Sequence, residues 1–99
     1  MVVVTMKINI PNECLRDING RLALVKRKCY TYTYYVEELE NTVDALIVRL
    51  GLDITETELY GYTDHGVVYK DWRTGAKVEI AVFYDKENNE AFIVATKVN

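Results

Sequence analysis

Hydrophobic and polar residues alternate from Val2 to Ile10, with Val4, Met6, Ile8 and Ile10 on one side and Thr5, Lys7 and Asn9 on the other. A period of two marks a half-buried strand, and Pro11, with no N–H to donate, ends its ladder. Asn19-Gly20 tolerates positive φ at both residues and predicts a two-residue hairpin turn. Beyond it, Arg21 to Tyr35 alternates again and closes on Cys29-Tyr30-Thr31-Tyr32-Thr33-Tyr34-Tyr35, rich in strand formers. A hairpin centred on that turn would set Ile10 opposite Cys29, Ile8 opposite Thr31 and Lys7 opposite Tyr32. Cys14 would face Val25, a register with no Cys14–Cys29 bridge. Pro11 then requires a bulge or a short helix from Asn12.

From Val36 the period lengthens. Val36, Leu39, Val43, Leu46, Ile47 and Leu50 fall on one stripe and predict a helix over 36–50. Glu37, Glu38 and Glu40 suit the positive end of its dipole, and Gly51 is placed to close it in αL geometry. Turn signals at Thr63-Asp64-His65-Gly66, Arg73-Thr74-Gly75-Ala76 and 85–89 divide the remainder into strands. A two-residue loop at Thr74-Gly75 would pair Lys70 with Glu79, Tyr69 with Ile80 and Val67 with Val82. The opposite charges across that pair would contribute about 0.2–1 kcal/mol. The last loop would set Val82 opposite Phe92 and Ile80 opposite Val94. One face would then collect Val67, Tyr69, Val78, Ile80, Val82, Phe92 and Val94, and the helix stripe is the apolar surface large enough to cover it. The expected architecture is a single α+β domain over 1–99, one helix packed on a mostly antiparallel sheet.

The order of strand, tight turn, strand, helix ending in Leu50-Gly51-Leu52, then further strands resembles the β-grasp, or ubiquitin-like, superfamily. Val36-Glu37-Glu38-Leu39 through Leu50-Gly51-Leu52-Asp53 is similar to the helix of the small sulfur-carrier proteins of thiamin and molybdopterin synthesis. Gly75-Ala76-Lys77-Val78-Glu79-Ile80 is similar to their last strand and its entry turn. The resemblance spans residues 1–84 and implies a β-grasp-like ββαβββ(β) order. The carriers end in Gly-Gly, which becomes the thiocarboxylate. This sequence ends in Thr96-Lys97-Val98-Asn99 after an extra strand from Glu90, so the resemblance implies architecture without carrier chemistry.

Composition narrows the classes. Ninety-nine residues make one domain, and 12 basic against 15 acidic groups give a net charge of −3. That balance excludes a histone-like basic binder, and two cysteines are too few for a disulfide framework. Lys7 interrupts the apolar start, so neither a signal peptide nor a membrane span is expected. The expected compartment is the cytosol, of a host cell if the protein is delivered into one, with Cys14 and Cys29 as reduced thiols. Charge is uneven: residues 1–35 carry six basic and two acidic groups, 36–65 one and eight, 66–99 five of each. The middle block is explained by a helix with a solvated acidic face.

Little catalytic chemistry is legible. The chain has no Ser, and its one imidazole, His65, sits between the turn residues Asp64 and Gly66. A nucleophilic pair would need Cys14 or Cys29 beside His65, and a metal would need three or four ligands in one place. No enzyme, cofactor or metal site is expected. The most informative stretch is Lys26-Arg27-Lys28-Cys29-Tyr30-Thr31-Tyr32-Thr33-Tyr34, which as a strand puts Tyr30, Tyr32 and Tyr34 on one face with Lys28 and, across the pair, Lys7. Tyrosine anchors protein interfaces, so these five residues are the candidate contact surface for a protein partner or a second copy of the chain. The alternative is single-stranded nucleic acid stacked on Tyr30 and Tyr32 and neutralised by Lys7, Lys26, Arg27 and Lys28, a reading weakened by the acidic total. The expected role is a non-catalytic interaction domain. Its size and acidity resemble accessory proteins of viruses and mobile elements.

Overall fold

A computed structural model describes residues 2–18 and 21–98, with the side chain of Arg21 left aside. Strand β1 (Val2–Ile8) leads through a 3-10 turn (Asn12–Cys14) into a short hairpin of β2 (Leu15–Ile18) and β3 (Arg21–Leu24). A second 3-10 turn (Lys26–Lys28) precedes helix α1 (Tyr32–Arg49). Four strands follow: β4 (Thr57–Tyr62), β5 (Gly66–Asp71), β6 (Lys77–Asp85) and β7 (Glu90–Lys97). They form an antiparallel meander, and β1 returns to pair antiparallel with β7, so the sheet runs β1-β7-β6-β5-β4. The class is α+β, one helix on a five-stranded antiparallel sheet with the β2–β3 hairpin beside it.

The first expected pairing is corrected. The hairpin register around Asn19-Gly20 holds only from Leu15↔Leu24 to Ile18↔Arg21, and the turn itself lies outside the described residues. Val25 still donates to the Cys14 carbonyl at 2.7 Å, and then the chain curls instead of extending to Tyr35. Lys7 consequently lies opposite Phe92, not Tyr32, and Ile8 opposite Ala91, not Thr31.

The helix starts four residues earlier than expected, at Tyr32 instead of Val36. Tyr32 and Tyr35 carry its apolar stripe back by one turn, and both pack against the core with Leu39 and Val43. A Thr/Tyr run has strand propensity, but a stripe that can be buried outweighs it. The C-terminus closes in a Schellman motif: Gly51 has φ +84°, Gly51 N donates to Val48 O at 3.0 Å and Leu52 N to Ile47 O at 3.1 Å. Ile47 and Leu52 are both buried, supplying the apolar contact of that motif.

Two strand registers also differ. β5 and β6 pair Val67 with Ile80, Tyr69 with Val78 and Lys70 with Lys77, two residues from the expected register. A shift of two preserves the face. Its cause is Asp71, whose carboxylate accepts from the Arg73 N–H at 2.9 Å and the Thr74 N–H at 3.3 Å and so organises a longer turn. β6 and β7 pair Val82 with Ile93 and Phe83 with Phe92, one residue from the expected register. A shift of one turns a strand over. Ala91, Ile93 and Ala95 therefore point into the core, and Phe92 and Val94, expected inside, point outward. The helix crosses β7 and β1, and the two alanines on β7 leave room for it to approach.

Candidate functional site

The sequence-derived surface is dispersed. Tyr30 is fully exposed ahead of the helix, next to the Lys26-Arg27-Lys28 turn. Tyr32 is half-buried against the core, and Tyr34 is exposed with its ring edge-on to Tyr35 at 5.5 Å. The three tyrosines share no strand face, because Tyr30 precedes the helix and Tyr32 and Tyr34, two apart on it, point about 200° apart. Lys7 stands on β1 and bridges Glu90 at 3.1 Å, while Lys26, Arg27 and Lys28 are exposed in their 3-10 turn.

His65 sits at the tip of the β4–β5 turn, where its N–H is 3.3 Å from Thr63 Oγ1 and its ring centroid 6.5 Å from that of Phe83. It also lines a cavity of about 300 Å³ between the hairpin and the sheet, with Ile18, Leu22, Val67, Ile80 and Val82. The two thiols meet each other instead. Both are free and buried, and the Cys14 thiol lies against Cys29 and 3.8 Å from the Lys28 carbonyl. The hairpin register alone gave no such contact; the 3-10 turn over Lys26–Lys28 brings Cys29 back onto Cys14. Burial, then contact with Cys29, pushes the Cys14 thiol up to about 11. No cluster of three or more His, Cys, Asp or Glu positioned for a metal ion occurs among the described residues. None of the described helices is long and apolar enough to cross a membrane.

The feature missed from sequence is the outer face of the sheet. Ile80-Ala81-Val82-Phe83-Tyr84 and Ala91-Phe92-Ile93-Val94-Ala95 are apolar without interruption. An antiparallel strand with one wet face alternates; a continuous run belongs to a strand covered on both faces. Here α1 and the hairpin take the inner face. Outward lie Val3 and Lys7 of β1, Phe92 and Val94 of β7, Ala81 and Phe83 of β6, and Val68 of β5, in laterally paired rows. Lys7, Phe92 and Phe83 form one such row, and Thr5, Val94, Ala81 and Gly66 the next. Phe83 is 47% exposed and Val3 53%.

One end of this face is aromatic and cationic. Tyr60 lies at the bulge where the β4–β5 pairing shifts between Leu59 and Gly61, and its ring centroid is 6.2 Å from that of Trp72. Lys70 Nζ stands 4.4 Å from the Trp72 centroid and 5.1 Å from that of Tyr60, and Lys77 Nζ 4.5 Å from that of Tyr60. Lys70 and Lys77 are direct cross-strand neighbours, a repulsive pair that the two rings and Glu58, opposite Lys70, offset. At the other end Asp85 and Glu90 face each other across β6 and β7. Hydrogen bonds from the Asn88 side chain first, then from the Asn88 and Glu87 N–H groups, hold the Asp85 carboxyl below its usual range. Comparison with protein-family descriptions, with characterised proteins and with solved structures finds no match to this chain, so the outer face has to be interpreted from its own residues.

Proposed function

We propose that this chain is a small, non-catalytic protein-interaction domain that docks its partner on the outer face of the sheet. The observation that carries the reading is the pair of uninterrupted apolar runs, 80–84 and 91–95, in β6 and β7, one face covered by α1 and the hairpin, the other carrying exposed Phe83 and Val3 and half-buried Phe92, Val94 and Val68 between the charges of Lys77, Glu79 and Asp85. Large apolar surface left in water is unfavourable, and faces of this composition in folded proteins are recognition surfaces. Tyr30 with Lys28 makes a smaller second patch at the helix entry. A reducing compartment suits the paired free thiols, and an accessory role beside a larger machinery suits the size. The resemblance to the β-grasp superfamily adds no function, since among the described residues three strands precede α1 and four follow it.

A second reading has its own observation: Tyr60 and Trp72, half-exposed and flanked by Lys70 and Lys77, have the composition of a platform for stacked bases. The two separate by capture and by salt. Affinity capture from the native source should lose its specific protein with Phe83→Lys and keep it with Tyr30→Ala. A salt series with short single-stranded DNA and RNA should give no binding at low ionic strength. Log K falling with log salt, abolished by Trp72→Ala, would favour nucleic acid instead.

A further inference from the structure

We infer that the open edge of β1 takes up an extended, basic segment of another protein as a sixth strand, which lays alternate side chains against the flank of α1. The site lies apart from the outer face and does not depend on the docking reading above. β1 and β4 end the sheet. β4 is interrupted by its bulge between Leu59 and Gly61, a device that blunts an edge against pairing. β1 pairs with β7 without a shift from Val2 to Ile8, and Lys7 is its one charged residue. A regular, apolar edge of this length is a template for another strand.

The ladder fixes which groups of β1 face that edge. Val98 N donates to Lys77 O at 3.0 Å, in register with the β6–β7 pairing. Hydrogen-bonded pairs alternate along an antiparallel ladder. Even-numbered residues of β7 therefore bond β6, and odd-numbered ones turn to β1, where they meet Val2, Val4, Met6 and Ile8. The N–H and C=O groups of Val3, Thr5 and Lys7 are left pointing away from β7. Asp71 N, donating to Ala76 O at 2.9 Å, fixes the same parity from the β5 side. A strand of about five residues, roughly 16 Å long, reaches all three. Addition to such an edge draws affinity from the main chain and specificity from alternate side chains.

The chemistry of the segment follows from the flank of α1. Met6 of β1 and Tyr34, Glu37, Glu38, Asn41 and Ala45 of α1 line a groove of about 320 Å³. Met6 is half-buried and Tyr34 and Ala45 are exposed, so an apolar side chain of the added strand has apolar surface to cover. Among the described residues lining the groove, the charges are Glu37 and Glu38. Glu40 and Asp44 act on Tyr69, at the other flank of the helix. Complementarity therefore calls for Lys or Arg on both sides of an apolar residue, at alternate positions of the segment. The same charges argue against a second copy. Pairing β1 with its own copy about a two-fold axis would put both helices on one side of the joined sheet. Glu37 and Glu38 of each would then converge on the seam.

The test is titration of the full chain with the blocked peptide Thr-Lys-Val-Leu-Thr-Lys-Val, followed by amide hydrogen exchange. The free protein is expected to protect the Val4 and Met6 amides and to leave those of Val3, Thr5 and Lys7 exchanging fast. The peptide should bind with Kd below about 1 mM and protect the last three. Replacing both peptide Lys by Glu, or its first Val by Pro, should weaken binding at least about tenfold. Glu37→Lys/Glu38→Lys, with unchanged circular dichroism, should weaken the lysine peptide as much and favour the glutamate one. Phe83→Lys should leave peptide binding unchanged, so this inference and the outer-face reading fail independently. Absence of binding overturns the inference, as does binding that leaves the three edge amides unprotected or ignores the reversal at Glu37 and Glu38. Self-association that protects those amides without peptide overturns it too, and assigns the edge to a second copy.

Discussion

Asp71 is the buried charged residue among the described residues, 1% exposed, and its hydrogen bonds are directional. Its carboxylate accepts from Asp53 N at 3.1 Å, and from Arg73 N and Thr74 N in the turn it begins. The Asp53 N–H is the largest cause holding its carboxyl below the ordinary value of 3.8, against the opposing effect of burial. Asp53 is lowered too, chiefly by the Thr55 hydroxyl. A lowered carboxyl contributes stability that is present above its unfolded value and lost as pH falls through the folded one. Melting temperature should therefore be level from neutral pH down to about 5 and drop below about 4. Asp71→Asn should flatten that acid limb and lower stability at pH 7, which a melting series in both proteins measures. Cys14 works at the other extreme: with its value raised to about 11, the thiol should resist alkylation at pH 8 until the protein is unfolded. Gly66 is the residue where space decides. A Cβ there would run into the Ile80 carbonyl oxygen and the Ala81 Cα, so Gly66→Ala should cost on the order of 3 kcal/mol, read by urea titration.

Among the elements, β7 and α1 explain each other. Ile93 is fully buried between Ala91 and Ala95 on the inner face of β7, under the helix. Ile93→Ala should cost about 2–5 kcal/mol, whereas Phe92→Ala on the other face should cost markedly less. The contrast checks the register, since the one-residue alternative reverses it. The helix start is open to a similar comparison. Tyr32→Ala should destabilise by about 1–3 kcal/mol, and Tyr30→Ala should stay within about 0.5 kcal/mol, because only the first ring is packed.

For the whole molecule, the inner face is closed and the outer face is open. α1 and the hairpin cover one side of the sheet, so stability of the single copy should not depend on Phe83. Phe83→Lys is expected to leave the melting temperature of the monomer within a few degrees of wild type while changing what the protein associates with. The His65 and Cys14–Cys29 positions belong to the fold in the same sense: His65 closes a turn beside Phe83, and the thiols join the two 3-10 turns.

Local signals in the sequence determined what local physics controls. The first strand up to Pro11, the period-3.6 stripe through Leu50, the αL closure at Gly51 and the turns at 63–66 and 85–89 were all readable, because each rests on residues within a few positions of one another. Tertiary structure decided the rest. Val2–Ile8 could pair with the segment after the hairpin or with the last strand, and both choices satisfy its alternation. Tyr32-Thr33-Tyr34-Tyr35 fits a strand by propensity and a helix by stripe, and burial against the core selects the helix. In the facing runs 80–84 and 91–95 every position is apolar, so no alternation within them says which side of β7 is inner. The choice fell to turn length and to the room that Ala91 and Ala95 leave beneath α1, and that choice put Phe92 and Val94 outside and created the candidate site.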